Sequence, residues 1–528
     1  MAADDPRTKR RPLRDWIAWA AIAIAMAGLR ARLLDVPLER DEGEYAYAAQ
    51  LLLQGAAPYA HAYTMKLPGT IAAYAAILAL AGESPGAIHA GLLVANALTL
   101  VCVALLARRF VGSVGASTAA AAFGLLTLSR GLLGFTANAE HFALLPALAA
   151  LLGLLRVLER RGTWPLAGAG ALFGVAVLMK QHAAFFLAFG ALWVWIDGRP
   201  DPRARVAARL AILLAGAAIP LAATGLAIAA AGAWDPFWFW TVQYAGSYLD
   251  QVAAADALAL LALRAGRNAW IFSTVWLLAA AGLAMLPFDS DRRRRRFLGL
   301  FALLSFVAVC PGLSFREHYF LLIVPAAALF AGAAADAAMR ALSLRSVTPI
   351  AVAIAFAAAL VQERDYLFRW TTGEIVREAY GQQGFEESIA IARYVRERTA
   401  ADDRIGVLGS EPQIYFYARR RAVTPLLYMY PLLEDQPLAA RMQLELIEQF
   451  ERALPRYVVA TSNPRSWLPH GGVTRTVLDW IPAFLAEHYE RVAFADLAPD
   501  GTPVYAFGDD AKSREPANPT GLQVYRRK

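Results

Sequence analysis

Residues 87–107 read AIHAGLLVANALTLVCVALLA, a run of 21 positions without Asp, Glu, Lys or Arg. A helix rises about 1.5 Å per residue and the hydrocarbon core is about 30 Å thick, so a run of this length and polarity is what a bilayer crossing requires. The pattern recurs along the chain. Apolar blocks at 16–34, 87–107, 112–130, 140–157, 164–179, 183–196, 210–231, 268–286, 297–312, 319–338 and 347–363 predict about eleven transmembrane helices. Hydrophobic residues make up 58% of the 528 positions, and mean hydropathy is +0.41. Both exceed what an ordinary soluble domain carries. The expected fold class is an α-helical polytopic membrane protein with a soluble tail.

Charge supports this reading and excludes another. The net charge of +8 could suggest nucleic acid, but the arginines cluster in short loops between apolar blocks, where they report orientation. One set of alternate loops carries 21 Lys and Arg, among them Arg7, Lys9, Arg10, Arg11, Arg161 and the run Arg292–Arg296; the opposite set carries 7. This bias predicts a cytoplasmic N-terminus and, after eleven spans, a C-terminus outside. Cys102 and Cys310 both lie in apolar blocks, which argues against a disulfide framework or a cysteine metal site. No cleavable signal peptide is expected, because the first block is too long and lacks a small-residue cleavage site. Gly168-Ala169-Gly170-Ala171-Leu172-Phe173-Gly174 has the wrong spacing for a nucleotide fingerprint and reads as close helix packing through small residues.

Two outside segments are too long to be mere connections. Residues 35–86 form the first outside loop of a membrane unit spanning 1–363, and 364–528 read as an outside α/β domain. Strands are expected at 404–409, 456–461, 490–497 and 503–507, with helices at 411–418 and 474–487.

The first loop opens on Arg40-Asp41-Glu42-Gly43-Glu44-Tyr45. A helix over 42–54, stopped by Gly55, would take Asp41 as N-cap and Glu44 as its capping-box partner. The same placement holds a carboxylate ionised at a helix N-terminus, which suits a general base or a metal ligand. With Tyr45, Ala48, Ala49, Leu52 and Leu53 on one face, the helix is expected to lie flat in the interface. Lys66 is one of few cations on this side, and reads either as a snorkelling anchor or as a site residue. Glu140 opens the fourth span, Lys180 follows the fifth, and Arg316 and His318 precede the tenth. Charges near the bilayer are costly to keep, which marks these positions as functional. Arg316 could also pair with its neighbour Glu317.

These stretches, in this order, resemble the polyprenyl-phosphate-sugar-dependent membrane glycosyltransferases, of the protein-mannosyltransferase-like and aminoarabinose-transferase-like kind. The likeness is carried by 40–45 with Gly55 to Tyr59, by Lys66-Leu67-Pro68-Gly69, by Gly174 to Lys180, and by Arg316 to Tyr319 with Pro325. Leu67 departs from the family's Lys-Pro-Pro pattern, and Glu140 stands where many members have Asp. The resemblance implies a GT-C fold and transfer of a sugar from a polyprenyl-phosphate donor, with inversion, to an unknown acceptor at the outer face. Asp41 would be the base, with Glu42 beside it in the catalytic group and Glu44 as the cap. Lys66, Arg316, Lys180 and His318 would bind the donor phosphate. Glu140 would orient the acceptor or share a divalent metal with Asp41. A transporter or flippase of lipid-linked sugars is the competing class, for which internal repeats and mid-membrane charges would be expected.

Overall fold

The computed structural model describes residues 6–528 apart from 161, 200, 249–251, 342–343, 499–501 and 519, with backbone only for 6–12. Arg161 and the side chains of Arg7, Lys9, Arg10 and Arg11, which entered the orientation count, lie outside the described residues. The chain builds a helical bundle followed by a mixed sheet.

Nine helices open the chain: α1 Pro6–Ala31, α2 Arg40–Leu53, α3 Gly69–Ala81, α4 Pro85–Ala107, α5 Ser113–Leu126, α6 Ala139–Glu159, α7 Leu166–Met179, α8 Ala184–Asp197 and α9 Arg203–Ala230. Ser273–Met285, Arg292–Val307, Val324–Arg340 and Thr348–Gln362 continue the bundle. Every apolar block of the sequence falls on one of these helices. By length and composition, four meet the requirement for a crossing among the described residues: Pro85–Ala107, Ala139–Glu159, Arg203–Ala230 and Glu317–Arg340. Ala254–Trp270 and the helix after it pass that test together, but are bent by 112°. The bend falls where Phe272 takes φ +57°. Among the longer helices ahead of the tail, two lie outside the expected set: apolar α3, inside the first outside loop, and Ala254–Trp270.

Small residues set the closest approaches. A Cβ on Gly170 would lie 2.0 Å from the Leu213 carbonyl oxygen, and one on Gly174 2.3 Å from that of Ala217. Helices α7 and α9 therefore touch backbone to backbone, as the glycine pattern at 168–174 implied.

The tail holds six strands, β1 Arg404–Leu408, β2 Arg421–Ala422, β3 Tyr457–Ala460, β4 Tyr489–Leu497, β5 Pro503–Phe507 and β6 Leu522–Arg527. Their order is β2-β1-β3-β6-β4-β5. Strands β2, β1 and β3 run parallel, with Gly406 opposite Val458. The β3–β6, β6–β4 and β4–β5 pairs are antiparallel. The four expected strands are present; β6 and the short β2 complete the sheet.

Helix α2 departs from expectation. Instead of lying flat in the interface it is buried along most of its length, from Arg40 through Leu51. It packs against α3 and against the tail helix Gln413–Ala418, and its residues share an apolar core with sheet residues such as Ile405 and Val459. Gly43 permits this contact, since a Cβ there would lie 2.5 Å from the Gln413 backbone nitrogen.

Candidate active site

Helix α2 starts two residues earlier than the sequence suggests. Glu39 is the N-cap, with extended backbone (φ −84°, ψ −177°), and its carboxylate accepts from the Glu42 N–H at 3.1 Å. Glu42 reaches back to the Glu39 N–H at 3.3 Å. The capping box is therefore Glu39 and Glu42, and the assignment of Asp41 as N-cap with Glu44 as the structural cap is corrected. Glu42 also lies 2.8 Å from His89 Nε2 and accepts the Ala137 N–H at 2.6 Å. Fully buried and turned toward α4 and α6, it is a structural hub and does not stand with Asp41 in a catalytic group.

Freed from capping, Asp41 and Glu44 share one cation. Lys66 Nζ lies 2.8 Å from Asp41 Oδ1 and 2.5 Å from Glu44 Oε2, with the Tyr45 ring 4.4 Å away. Lys66 is thus part-buried and paired with two carboxylates rather than snorkelling. Burial by itself would raise the Asp41 pKa, but Lys66, aided by His318, overrides it and holds this carboxyl well below the usual range. Burial keeps Glu44 above its ordinary value despite the same lysine. The pair therefore divides into a firmly ionised Asp41 and a more readily protonated Glu44.

The loop that presents Lys66 is clamped from both sides. Tyr59 donates to the Lys66 carbonyl at 2.8 Å. Gln181 donates to the Met65 carbonyl at 2.9 Å, and Thr70 to that of Met179 at 2.8 Å. A Cβ on Gly69 would lie 2.5 Å from the Leu178 carbonyl oxygen, so α3 begins hard against the end of α7. Lys66 and Lys180 are brought to one place by these contacts.

Lys180 ends α7 in extended conformation and pairs with Glu140 Oε1 at 2.9 Å. His318 Nε2 stands 4.0 Å from the same oxygen, and the Tyr319 ring lies 4.7 Å from Lys180 Nζ. Glu317 pairs with Arg264 from the unforeseen helix Ala254–Trp270, so its salt-bridge partner is not Arg316. Asp41 and Glu140 stand in separate ion pairs. Each is neutralised by its own lysine, and among the described residues no group of three or more His, Cys, Asp or Glu is placed to hold a metal ion.

These side chains surround a cavity of about 1090 Å³. Asp41, Glu44, Lys66, Lys180, Arg316 and His318 line it; Glu140 sits behind Lys180, fully buried. Three contributors escaped the sequence reading: Arg264, Arg267 and, from the tail, Tyr428. For the arginines, the amphipathic pattern of 254–270 is the signal the sequence offers. Tyr428 had no local signal at all. The tail is tied down beside Asp41 by Arg40, whose guanidinium donates to the Ser410 carbonyl at 2.6 Å and pairs with Glu411 at 3.1 Å. An ionised carboxylate beside a cluster of cations is suited to removing a proton next to a departing anion.

A family model described as dolichyl-phosphate-mannose-protein mannosyltransferase matches residues 66–228. No curated protein matches the chain. Among solved structures, the chain is similar to ArnT from Cupriavidus metallidurans bound to undecaprenyl phosphate, with TM-score 0.56 and 15% identity over 96% of this chain and 97% of that one. It is also similar to the archaeal oligosaccharyltransferase AglB from Archaeoglobus fulgidus in complex with an inhibitory peptide and a dolichol-phosphate, with TM-score 0.53 and 15% identity over 95% and 75%. The arabinofuranosyltransferase AftD from Mycobacteria aligns with TM-score 0.51 and 16% identity over 97% of this chain and 40% of that one. The chain therefore shares the fold of these solved structures and carries, across residues 66–228, the sequence pattern of the protein mannosyltransferase family model.

Proposed function

We propose that this protein is a membrane glycosyltransferase that moves a hexosyl or pentosyl group from a polyprenyl-phosphate donor to an acceptor hydroxyl or amine. One observation carries the reading: an ionised carboxylate, Asp41, and the cations Lys66, Lys180, Arg264, Arg267 and Arg316 open into the same cavity. The acceptor oxygen or nitrogen attacks the anomeric carbon while Asp41 takes its proton. The bond from that carbon to the phosphate oxygen breaks, and the polyprenyl phosphate leaves with the electron pair. Attack opposite the leaving group inverts the anomeric centre. Negative charge grows on the phosphate as the bond breaks, so cations fixed beforehand favour the transition state over the ground state. Arginine suits this role because its planar fork meets two phosphate oxygens at once. Glu140 keeps Lys180 charged and aimed, and the bond broken in the donor supplies the driving force.

A transporter of lipid-linked sugars fits less well, because the charged side chains line a cavity that is walled in part by tail residues such as Tyr428, Tyr430 and Arg465. The arginine bias supports a cytoplasmic N-terminus and an external domain over 364–528. A reporter fused after Lys528 is expected to read as external, and a cytoplasmic signal overturns that orientation. The deciding experiment incubates the purified protein with a panel of polyprenyl-phosphate sugars and measures free polyprenyl phosphate. Release from one donor supports the reading; no release from any donor in the presence of mixed glycan, lipid and protein acceptors sinks it.

A further inference from the structure

Tyr428, from the tail, donates its hydroxyl to Asp41 Oδ1 at 2.9 Å. The same oxygen already receives Lys66, so two donors hold Oδ1, and among the described residues no hydrogen bond engages Oδ2. The two carboxylate oxygens are thereby distinguished: one is fixed, the other is left for a substrate proton.

The contact is held by a closed ring of bonds. Asp41 is preceded by Arg40, which binds the Ser410 carbonyl. Ser410 Oγ accepts the N–H of Met429 at 2.9 Å, and Met429 follows Tyr428. Ser410 is itself locked, through its N–H to Ser466 Oγ at 2.7 Å and its hydroxyl to the Ser466 carbonyl at 2.5 Å. On the other side, the Tyr63 N–H donates to the Pro425 carbonyl at 2.8 Å. Asp41 and Tyr428 are thus placed against each other by neighbours on both strands of the contact, at a separation of 387 positions. Burial, with Asp41 and Glu44 adding to it, pushes the Tyr428 phenol well above its ordinary pKa, so the group is a donor at every working pH.

We infer that Tyr428 is a positioning residue that orients the Asp41 carboxylate, and that the tail thereby completes the catalytic centre rather than merely covering it. This rests on the reading of Asp41 as base. A carboxylate whose Oδ1 is pinned presents Oδ2 in one direction, and proton removal depends on that direction.

The test is Tyr428→Phe in the full chain, which keeps the ring and removes the donor. Polyprenyl phosphate release is measured with the donor identified by the panel, beside Tyr394→Phe, a tail tyrosine outside the cavity. In Tyr428→Phe, kcat is expected to fall about tenfold or more, with donor KM within about twofold and the melting temperature close to wild type. Asp41→Glu/Tyr428→Phe is expected to be no slower than Asp41→Glu alone, because the tyrosine acts through that carboxylate. Tyr394→Phe is expected to turn over normally. An unchanged kcat in Tyr428→Phe, a loss confined to KM, or a further additive loss in the double variant overturns the inference. If Tyr428→Phe does not fold, 3-fluorotyrosine at 428 keeps the shape and alters donor strength alone; an unchanged kcat there likewise overturns it. Normal turnover in Asp41→Asn would instead remove the base itself, which separates the two failures.

Discussion

The ammonium of Lys66 lies 2.8 Å from the carboxylate of Asp41, across 25 positions of sequence and a loop clamped on both sides. The pairing fixes the charge state of Asp41 and its position at once. Replacing Asp41 by Asn keeps the shape and removes the base, so turnover is expected to drop by ~10²–10⁴ while membrane insertion and melting temperature stay near wild type. Polyprenyl phosphate release checks this, and near-normal turnover would remove Asp41 as base.

Removing the lysine tests the electrostatics separately. Asp41 is held below its unfolded value, so its contribution to stability is present above about pH 4 and is lost only as pH falls through the lower folded value. In Lys66→Met the main cause of that depression is gone, and burial is left to raise the carboxyl. The acid-side fall in both rate and stability is expected to begin at higher pH than in wild type. Superimposable pH profiles would contradict this account.

The cations on the far side of the cavity make a different prediction. Arg264→Ala, Arg267→Ala and Arg316→Ala are each expected to raise donor KM by about tenfold or more, as loss of one charge-assisted hydrogen bond to phosphate would. Steady-state kinetics with varied donor decide it; unchanged donor kinetics in all three would place the phosphate elsewhere.

Gly43 offers a purely structural test. A valine there would drive its Cβ into the Gln413 backbone, and overpacking of this kind costs about 1–3 kcal/mol. Gly43→Val is expected to lower the melting temperature and, by displacing α2 from the tail, to abolish transfer. Gly168, whose Cβ would meet nothing within 4 Å, is the control, and Gly168→Ala is expected to be neutral or slightly stabilising. Equal behaviour of the two variants would refute the close approach.

Much of the site was legible because charges near a membrane are scarce. Asp41, Lys66, Lys180, Glu140, Arg316 and His318 stand out against apolar surroundings, and the structure gathers them around one cavity. Their partners were less legible. The acidic run 39–44 offers several capping registers of similar local quality, and the choice of Glu39 with Glu42 follows from contacts to His89 and Ala137, far away in sequence. Glu317 found Arg264 for the same reason, since adjacent residues on a turn face apart.

What the sequence determined by itself was the helical membrane class and the identity of most polar groups at the site, because hydropathy and charge act locally, residue by residue, against a fixed solvent boundary. What only the tertiary structure decided was which oxygen each donor meets. Glu44 changed from cap to lysine partner, Glu42 from catalytic group to buried hub, and Tyr428 entered from 387 positions away. Hydrogen bonds and ion pairs act over about 3 Å, and distances of that size between remote segments exist only once α2 has been packed between the bundle and the tail.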